Sequence, residues 1–276
     1  MSTTHIPRKA ICVPGAPAVD ISDLTPIIDH PRFQKLRGRR QLGVNYLVFP
    51  GAVHSRFEHT LGVLGLTQRL VQMHGISGEL ARELEIFALL HDVGHGPFSH
   101  QIEPVLEDHH HAVGLRLLQE MGPAIKACGG TVQALQQFLE GKRPEAAYIS
   151  DRNLGMDKLD YLYRDALHIG FSGMPDIENV MRYSHLLDGC WKIEEKYVED
   201  VKRIQKFYSY LHQHGYLGKT ALSIQRLFQR AIQERLWEEP EAAESLWFMD
   251  DAELMVWLQR GGEMPQGLLD RLQNRS

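Results

Sequence analysis

The sequence predicts an all-α fold, a helical bundle that carries one small β-hairpin. Apolar residues recur at helical spacing, and Leu61, Leu64 and Leu70 are expected to lie together along one buried helix. The chain of 276 residues is 43% hydrophobic and 24% charged, which is ordinary for a globular protein. This length is enough for one well-filled domain or two small ones.

The predicted elements begin after an irregular start, because residues 1–20 are interrupted by prolines and a glycine. Residues 22–25 offer caps for a helix that ends at Ile28, and Pro31 can start a second short helix. Residues 45–49 are expected to form a short strand or an extended link. Longer helices are predicted at 59–74, 78–92, 109–121, 131–140, 151–168, 176–187, 199–214, 218–236 and 250–259.

The β-hairpin is predicted at residues 190–198, where two short apolar-polar runs flank Glu194 and Glu195. A hinge is expected at residues 237–250, which contain the acidic, proline-bearing string EEPE. The last part of the chain, residues 251–272, is expected to form two short helices on either side of a pair of glycines.

The charge and cysteine content point to an intracellular protein that does not bind nucleic acid strongly. The net charge of −5 argues against a general basic field, although residues 35–40 form a local basic patch. Cys12, Cys128 and Cys190 are far apart and are not in CxxC spacing, which indicates a reducing, cytoplasmic compartment. The sequence has no apolar run of membrane length and no signal core at its start.

The string LLHDVGHGPFSH, residues 89–100, is the strongest chemical signal in the chain. His91 and Asp92 are adjacent at the end of an apolar helix and offer one imidazole nitrogen and one carboxylate oxygen to a single metal ion. His95 and His100 follow, separated by glycines and a proline, and can donate protons or bind phosphate. Alone, an HD dipeptide is more often a chance pairing than a metal site.

Two further segments strengthen the interpretation as a site. Upstream, Arg56 and His59 are neighbours on one face at the start of a buried helix. Downstream, Asp157, Tyr161 and Asp165 are spaced four residues apart, so they share one helix face. A carboxylate that points into an apolar helix bundle is costly unless it is paired or bound to metal. The alternative is that these acidic residues form an ordinary solvated helix face.

Together, these segments spell the pattern H…HD…D, and the chain resembles the superfamily of HD-domain metal-dependent phosphohydrolases. The resemblance is closer to one branch, the deoxynucleoside triphosphate triphosphohydrolases, in the matching stretches 30–63, 89–100 and 155–166. The likeness covers residues 27–230 or so. It implies an HD phosphohydrolase domain at 1–236 and a C-terminal helical extension at 237–276 packed on it.

The resemblance implies four metal ligands, His59, His91, Asp92 and Asp157. A metal ion held there would bind a phosphate oxygen and an incoming water, lower the pKa of that water and neutralise developing charge. Two imidazoles and two carboxylates suit one divalent ion, which we expect to be Mn, Fe, Mg, Co, Ni or Zn.

The resemblance also implies a set of catalytic residues around the metal. Arg56 can grip phosphate with its planar guanidinium group. His95 matches a histidine near the leaving oxygen or attacking water, where a protonated imidazole can act as a general acid. A second histidine of this relay is assigned to His110, with His111 as the alternative, and Glu103 is expected to orient a histidine.

Substrate contacts are expected from five residues in addition to Arg56. Gln41 and Asp165 match contacts to sugar hydroxyls, whereas Lys158 and Tyr161 match contacts to phosphates or the sugar. His100 is expected to bind the substrate beside them. The substrate is then a nucleotide or another small phosphate ester.

The most favoured activity is hydrolysis of a deoxynucleoside triphosphate to deoxynucleoside and triphosphate. Where the relatives carry a cation-rich patch on a late helix, residues 208–214 and Lys219 offer fewer cations. A phosphomonoesterase that acts on nucleoside monophosphates or another small ester therefore stays open as the alternative. A catalytically idle nucleotide sensor is less favoured because all the metal positions are present. Residues 12–16 replace a regulatory stretch of the relatives, and a homo-oligomer is left open.

Overall fold

α-Helices dominate the structure, a computed structural model that describes residues 8–106 and 108–274. Residues 1–7 of the predicted irregular start lie outside the described residues. The α-helices in the described ranges, labelled in chain order, are α1 (Thr25–Ile28), α2 (Pro31–Gln34), α3 (Arg56–His74), α4 (Gly78–Leu90), α5 (His110–Glu120), α6 (Gly122–Ala127), α7 (Val132–Leu139), α8 (Ala147–Ser150), α9 (Met156–Ile169), α10 (Glu178–Tyr183), α11 (Val198–Leu211), α12 (Lys219–Glu238), α13 (Ala243–Leu246), α14 (Asp251–Gln259) and α15 (Glu263–Asn274).

Short 3₁₀ turns and strands connect these helices. The 3₁₀ segments are Lys35–Gly38, Gly43–Leu47, Ser99–Gln101, Glu103–Val105, Pro144–Ala146, Glu195–Tyr197 and Pro240–Ala242, and a π-helical turn follows α11 at His212–Tyr216. Strand β1 (Ala10–Ile11) pairs antiparallel with β2 (Val19–Asp20), and β3 (Ser184–Leu187) pairs antiparallel with β4 (Cys190–Ile193). The predicted all-α fold with a small β-hairpin is therefore confirmed.

Helix α3 lies at the centre of the bundle and packs against α4 and α9. It begins after Ser55, whose hydroxyl accepts a hydrogen bond from the amide of Glu58 at 3.2 Å, and it ends at Gly75 in the left-handed conformation. The predicted apolar stripe is buried, since Leu61 and Leu64 are at most 1% exposed. This packing brings the start of α3, the end of α4 and the start of α9 close together.

The hairpin lies one strand earlier than predicted. Asp188 and Gly189 both have positive φ angles, 51° and 73°, and form the two-residue turn between β3 and β4. An Asp-Gly pair is a strong signal for such a turn. The helix predicted at 176–187 consequently ends at Tyr183, and the predicted second strand at 196–198 belongs to a 3₁₀ turn and the start of α11.

One other local prediction was wrong. Residues 45–49, predicted as a strand or extended link, lie in and just after the 3₁₀ turn Gly43–Leu47, which Gly43 enters with a φ of 53°. Within the predicted hinge at 237–250, α12 continues to Glu238 and α13 follows, with the Trp247 side chain buried beyond it, so the hinge stays a prediction. The start of the chain also gains the β1–β2 pair.

The C-terminal segment packs against the loops that carry the site. Arg39 donates hydrogen bonds to the carbonyls of Met249 at 3.0 Å and Trp247 at 3.1 Å. The Asp251 carboxylate accepts from the amide of Phe98 at 2.7 Å. These contacts support the expected packing of the extension, while the boundary at 236/237 stays a prediction because α12 runs through it. Within the described ranges, no helix combines the length and the apolarity that a bilayer crossing requires.

Candidate metal centre and active-site cavity

The loop after α4 holds His91 and Asp92 at the centre of the bundle. The amide of His91 still donates to the carbonyl of Phe87 at 2.8 Å, so His91 continues the helix by one residue. The loop then passes against α5 at Gly94, where a Cβ atom would lie 2.1 Å from the carbonyl oxygen of His110. Only glycine allows this approach. It brings His95 beside the first turn of α5.

Three of the predicted metal ligands converge from three helices. His59 Nε2 lies 3.1 Å from Asp157 Oδ1, and His91 Nε2 lies 3.7 Å from the same oxygen. Both imidazole nitrogens are buried, and neither has a partner in hydrogen-bond geometry among the described residues. Buried polar atoms are almost always paired, so two unpaired nitrogens that face one carboxylate indicate a place for a cation.

Asp92, the fourth predicted ligand, lies beside both imidazoles. Its Oδ1 is 3.6 Å from His91 Nε2, and its Oδ2 is 3.6 Å from His59 Nε2. The same carboxylate forms a buried ion pair with Arg56. Arg56, together with His91 and His95, holds the pKa of Asp92 well below its usual value despite the burial that opposes this. All four predicted ligands are therefore close together.

The outer nitrogens of the two imidazoles are fixed by hydrogen bonds, which turns the Nε2 atoms inward. His59 Nδ1 is 2.8 Å from Asp160 Oδ2, and His91 Nδ1 is 2.9 Å from the carbonyl of Ala88. A carboxylate or carbonyl on the outer nitrogen is the usual support for a metal-bound histidine. Asp160 was missed from the sequence, although it lies one helical turn after Asp157 and so shares its side of α9.

The electrostatics of this group favour an added positive charge. Burial lowers the pKa of His59, but the carboxylates of Asp157 and Asp160 outweigh it and raise the pKa to about 10. The pKa of His91 is raised for the same reason, by Asp92 and Asp157 against burial. The raised pKa values of the two imidazoles mean that a proton is held at the place where a metal cation would fit. The donor set of two nitrogens and two carboxylates suits a divalent ion.

Arg56 points into the cavity from the first turn of α3. Its side chain is only 2% exposed, and its Nε donates to the hydroxyl of Ser99 at 2.7 Å. Ser99 in turn donates to the carbonyl of Arg40 at 2.7 Å. The guanidinium group is therefore held in one orientation beside Asp92, with its charge at the base of the cavity.

A second group of residues, here called the histidine cluster, surrounds Glu103 and consists of His95, His100, His109 and His110. The Nδ1 atoms of His100 and His110 lie 2.7 and 3.0 Å from Glu103 Oε1. His95 Nδ1 is 3.5 Å from that oxygen, and His109 Nε2 is 3.2 Å from Oε2. Hydrogen bonds from His100 and His110 lower the pKa of Glu103 although burial opposes this. These contacts agree with the expected orienting role of Glu103.

The imidazole of His95 is harder to protonate than that of a free histidine. Burial, and then the positive charge of Arg56, lower its pKa to about 3 despite the opposing effect of Asp92. Its Nε2 lies 3.3 Å from Asp92 Oδ1. The sequence led us to expect a protonated imidazole here, so any acid role requires negative charge that arrives with the substrate.

The cavity beside these residues has a volume of about 380 Å³. Seven predicted site residues line it, namely Gln41, Arg56, Asp92, His100, Asp157, Tyr161 and Asp165. Lys158 lies outside this lining. Its ammonium donates to the carbonyl of Arg152 at 2.7 Å and lies 3.3 Å from the centre of the Tyr208 ring.

Asp165 lines the same cavity and is held by two residues that the sequence reasoning missed. His54 Nε2 is 2.9 Å from its Oδ1, and the Tyr216 hydroxyl donates to its Oδ2 at 2.5 Å. The π-helical turn after α11 brings Tyr216 and His212 to the cavity. His54 is two residues before Arg56 in the same string, which was the available signal.

Comparison with known proteins gives a matching family and several similar proteins. The HD domain family matches residues 56–165 of the chain. An uncharacterised protein of Methanocaldococcus jannaschii is 29% identical, over 84% of this chain and 51% of its own. The SAMHD1 homolog of Dictyostelium discoideum, described as a deoxynucleoside triphosphate triphosphohydrolase, is 30% identical over 75% of this chain and 45% of its own. The chain spans about half the length of these relatives.

A solved structure supports the same comparison over nearly the whole chain. The crystal structure of a phosphohydrolase from Bacteroides thetaiotaomicron matches with a TM-score of 0.85 and 25% sequence identity. The match covers 97% of this chain and 77% of that one. The long helices, and with them the three that carry the candidate metal ligands, thus have counterparts in a protein described as a phosphohydrolase.

Proposed function

This chain belongs to the HD-domain phosphohydrolase superfamily, in the branch that resembles deoxynucleoside triphosphate triphosphohydrolases, and we propose that it hydrolyses nucleotides with one divalent metal ion. One observation carries the proposal. The unpaired Nε2 atoms of His59 and His91 face the carboxylates of Asp92 and Asp157 at the base of a cavity. A cytoplasmic location is part of the proposal and rests on the spacing of the three cysteines in the sequence.

The metal would be held by those two imidazoles and two carboxylates. When bound, such an ion supplies Lewis-acid charge to a phosphate oxygen and lowers the pKa of a water. Nitrogen and oxygen donors together accept Mn, Fe, Mg, Co, Ni or Zn, so the donor set leaves the choice among these ions to the experiment.

Arg56 is proposed to bind the phosphate that reacts. Its guanidinium group is fixed by Ser99 and Asp92, so it needs little reordering to form charge-assisted hydrogen bonds. A phosphate bound there adds negative charge next to His95 and offsets the effect of Arg56 on the His95 pKa. His95 would then accept a proton and deliver it to the leaving oxygen.

Glu103 and His110 are proposed to support His95 in this transfer. The rings of His95 and His110 are stacked with their centres 3.9 Å apart, and Glu103 bonds to His110 at 3.0 Å. This contact favours His110 over His111 as the second histidine of the relay. His100 lies at the cavity wall on the same carboxylate, where it can bind a phosphate oxygen.

Asp165 is proposed to accept a hydrogen bond from the 3′-hydroxyl of the sugar. His54 and Tyr216 hold its two oxygens, which fixes the direction of the remaining lone pairs. Gln41 lines the cavity, and its buried Oε1 has no partner among the described residues, so it can accept from a second hydroxyl. Tyr161 lies one helical turn before Asp165 and would crowd a 2′-hydroxyl.

The first candidate substrate is a deoxynucleoside triphosphate, as its relatives' descriptions suggest. A nucleoside monophosphate is the second candidate, and one observation favours it. Arg56 is the only lysine or arginine among the described residues that line the cavity, and it is already paired with Asp92. Lys158 is held by Arg152 and Tyr208, so few cations remain for a triphosphate tail.

The test is a panel of dNTPs, NTPs and NMPs with Mn²⁺ or Mg²⁺, analysed by chromatography. Release of triphosphate from a dNTP supports the first candidate. Release of inorganic phosphate from NMPs, without release of triphosphate from dNTPs, supports the second.

Tyr161→Ala should narrow the preference for dNTP over NTP, whereas Tyr161→Phe, which keeps the ring, should preserve it. Equal cleavage of ribonucleotides and deoxynucleotides by the unaltered protein would refute the dNTPase assignment. If the protein hydrolysed none of these nucleotides, only the interpretation as a catalytically idle nucleotide sensor would remain.

A further inference from the structure

The histidine cluster brings several nitrogen donors to one point. The Nδ1 atoms of His95, His100 and His110 lie 3.5, 2.7 and 3.0 Å from Glu103 Oε1, and the four donor atoms lie within 4.8 Å of one another. The carboxylate oxygen thus sits among three imidazole nitrogens. Three nitrogens and one carboxylate oxygen form the kind of set that binds Zn²⁺.

One of these nitrogens lacks a partner. His95 is 1% exposed, and its Nδ1 has no bond in hydrogen-bond geometry within the described residues, although it points at Glu103. A buried imidazole nitrogen without a partner calls for an explanation, and a bound ion is one that fits the three other donor atoms beside it. The other ring nitrogen of His95 lies 3.3 Å from Asp92, so this ring links the cluster to the first metal centre.

We propose that His95, His100, Glu103 and His110 form a second metal site that binds a nitrogen-preferring divalent ion such as Zn²⁺. Glu103 would rotate so that one oxygen binds the ion, and the three Nδ1 atoms would close around it. Mg²⁺ prefers oxygen ligands and fits this set poorly, so the two centres should differ in metal preference.

The consequence of filling this site rests on the proposed function. A metal on the Nδ1 atoms occupies the nitrogens that connect His95, Glu103 and His110, and it removes the cluster from proton transfer. We therefore expect that hydrolysis supported by Mg²⁺ or Mn²⁺ at the first centre is inhibited when more than one equivalent of Zn²⁺ per chain is added.

The first experiment counts metal on the full chain without substrate. After dialysis against Zn²⁺, elemental analysis should find one more equivalent than after dialysis against Mg²⁺. Asp157→Ala should lose the ion of the first centre and keep the cluster ion, whereas Glu103→Gln should do the reverse. Because the His100 side chain is 66% exposed, His100→Ala keeps the fold and should also lose the cluster ion.

A matched control is His185→Ala, since His185 is an exposed histidine on β3 away from both centres. It should keep the metal content of the unaltered protein. The proposed second metal site would be refuted if the unaltered protein bound a single equivalent of Zn²⁺. It would also be refuted if Glu103→Gln and His100→Ala both kept the metal content of the unaltered protein. This count needs no turnover, so its failure is distinct from a failure of the proposed function.

The second experiment titrates Zn²⁺ into the Mg²⁺-supported reaction. His109 belongs to the histidine cluster but is not a proposed ligand of the second ion, and its Nε2 lies 3.2 Å from Glu103 Oε2, where it steadies that carboxylate. His109→Asn keeps a side-chain cap for α5 while it removes the imidazole. It should raise the half-inhibitory Zn²⁺ concentration, measured relative to the variant's own rate without Zn²⁺, by roughly 10-fold, the lower end for loss of a supporting partner. Full turnover with the cluster site filled would refute the inhibitory role.

Discussion

Gly62 on α3 is the position where a single methyl group should damage both stability and the metal centre. A Cβ atom there would lie 2.0 Å from Asp160 Oδ1 and 2.1 Å from an Arg164 guanidinium nitrogen. Arg164 is 1% exposed and bonds to both oxygens of Asp160, at 2.9 and 2.8 Å. Asp160 also bonds to His59 at 2.8 Å, so neither side chain can retreat freely.

The expected cost of Gly62→Ala follows from these contacts. Ordinary carbon contacts need about 3.5–4.0 Å, so the buried pair must shift by well over an ångström. Overpacking of a core typically costs about 1–3 kcal/mol, and full rupture of a buried ion pair costs about 3–5 kcal/mol. Because the pair is displaced without losing a member, we expect a loss of about 3 kcal/mol in the free energy of unfolding. Displacement of Asp160 should weaken metal binding by about 10- to 100-fold.

Denaturant unfolding and metal titration of Gly62→Ala measure the two effects separately. The matched control is Gly267→Ala on α15, where a Cβ atom would meet nothing within 4 Å. Alanine is the better helix former, so that variant should be as stable as the unaltered protein or more stable. If Gly62→Ala unfolded at the same denaturant concentration as Gly267→Ala and kept its metal affinity, the packing of the Asp160–Arg164 pair against α3 would be wrong.

Other changes test the centre and its surroundings. Asp92→Ala should abolish bound metal by elemental analysis, and unchanged metal content would remove Asp92 from the ligand set. His95→Ala should keep the metal and lower kcat by about 10²- to 10⁴-fold, whereas an unchanged kcat would move proton transfer to His110 or to water. Burial raises the pKa of Asp251 to about 6 from 3.8, so the folded state binds its proton more tightly than the unfolded chain. Its contribution to stability should then fall by about 3 kcal/mol as pH rises from about 4 to about 6 and stay constant above. The difference in unfolding free energy between the unaltered protein and Asp251→Asn measures this change, and a difference that does not vary with pH contradicts it.

The sequence predicted the long helices well because their signal is local. Apolar periodicity and end caps placed the helix around Leu61 within three residues of its observed start, at 59 instead of Arg56. The hairpin was misplaced because the apolar run at 184–187 is compatible with both helix and strand. Only the Asp188–Gly189 turn decides between helix and strand here, and the sequence-based prediction did not use this pair as a hairpin signal.

The site residues could be predicted from the sequence where they belong to a motif. They were harder to predict where their role depends on the direction in which the side chain points. The HD pair and the expected ligands His59 and Asp157 do lie close together, and their role as metal ligands stays a prediction. Lys158 directly follows Asp157, and consecutive helical residues point about 100° apart, so it cannot share the cavity face that Tyr161 and Asp165 occupy. Its contact with Tyr208 joins residues fifty positions apart, which no local pattern reveals.

The buried charges of the candidate centre favour a divalent ion there. Arg56 pairs with Asp92, and Arg164 pairs with Asp160, so each guanidinium compensates one carboxylate. Asp157 has no arginine or lysine partner among the described residues and faces only the imidazoles of His59 and His91. In the absence of metal, that excess negative charge is met by a proton on His59, whose pKa is raised to about 10. A metal ion replaces the proton with a larger charge while the surrounding hydrogen bonds stay in place, so metal binding should release a proton even well above neutral pH.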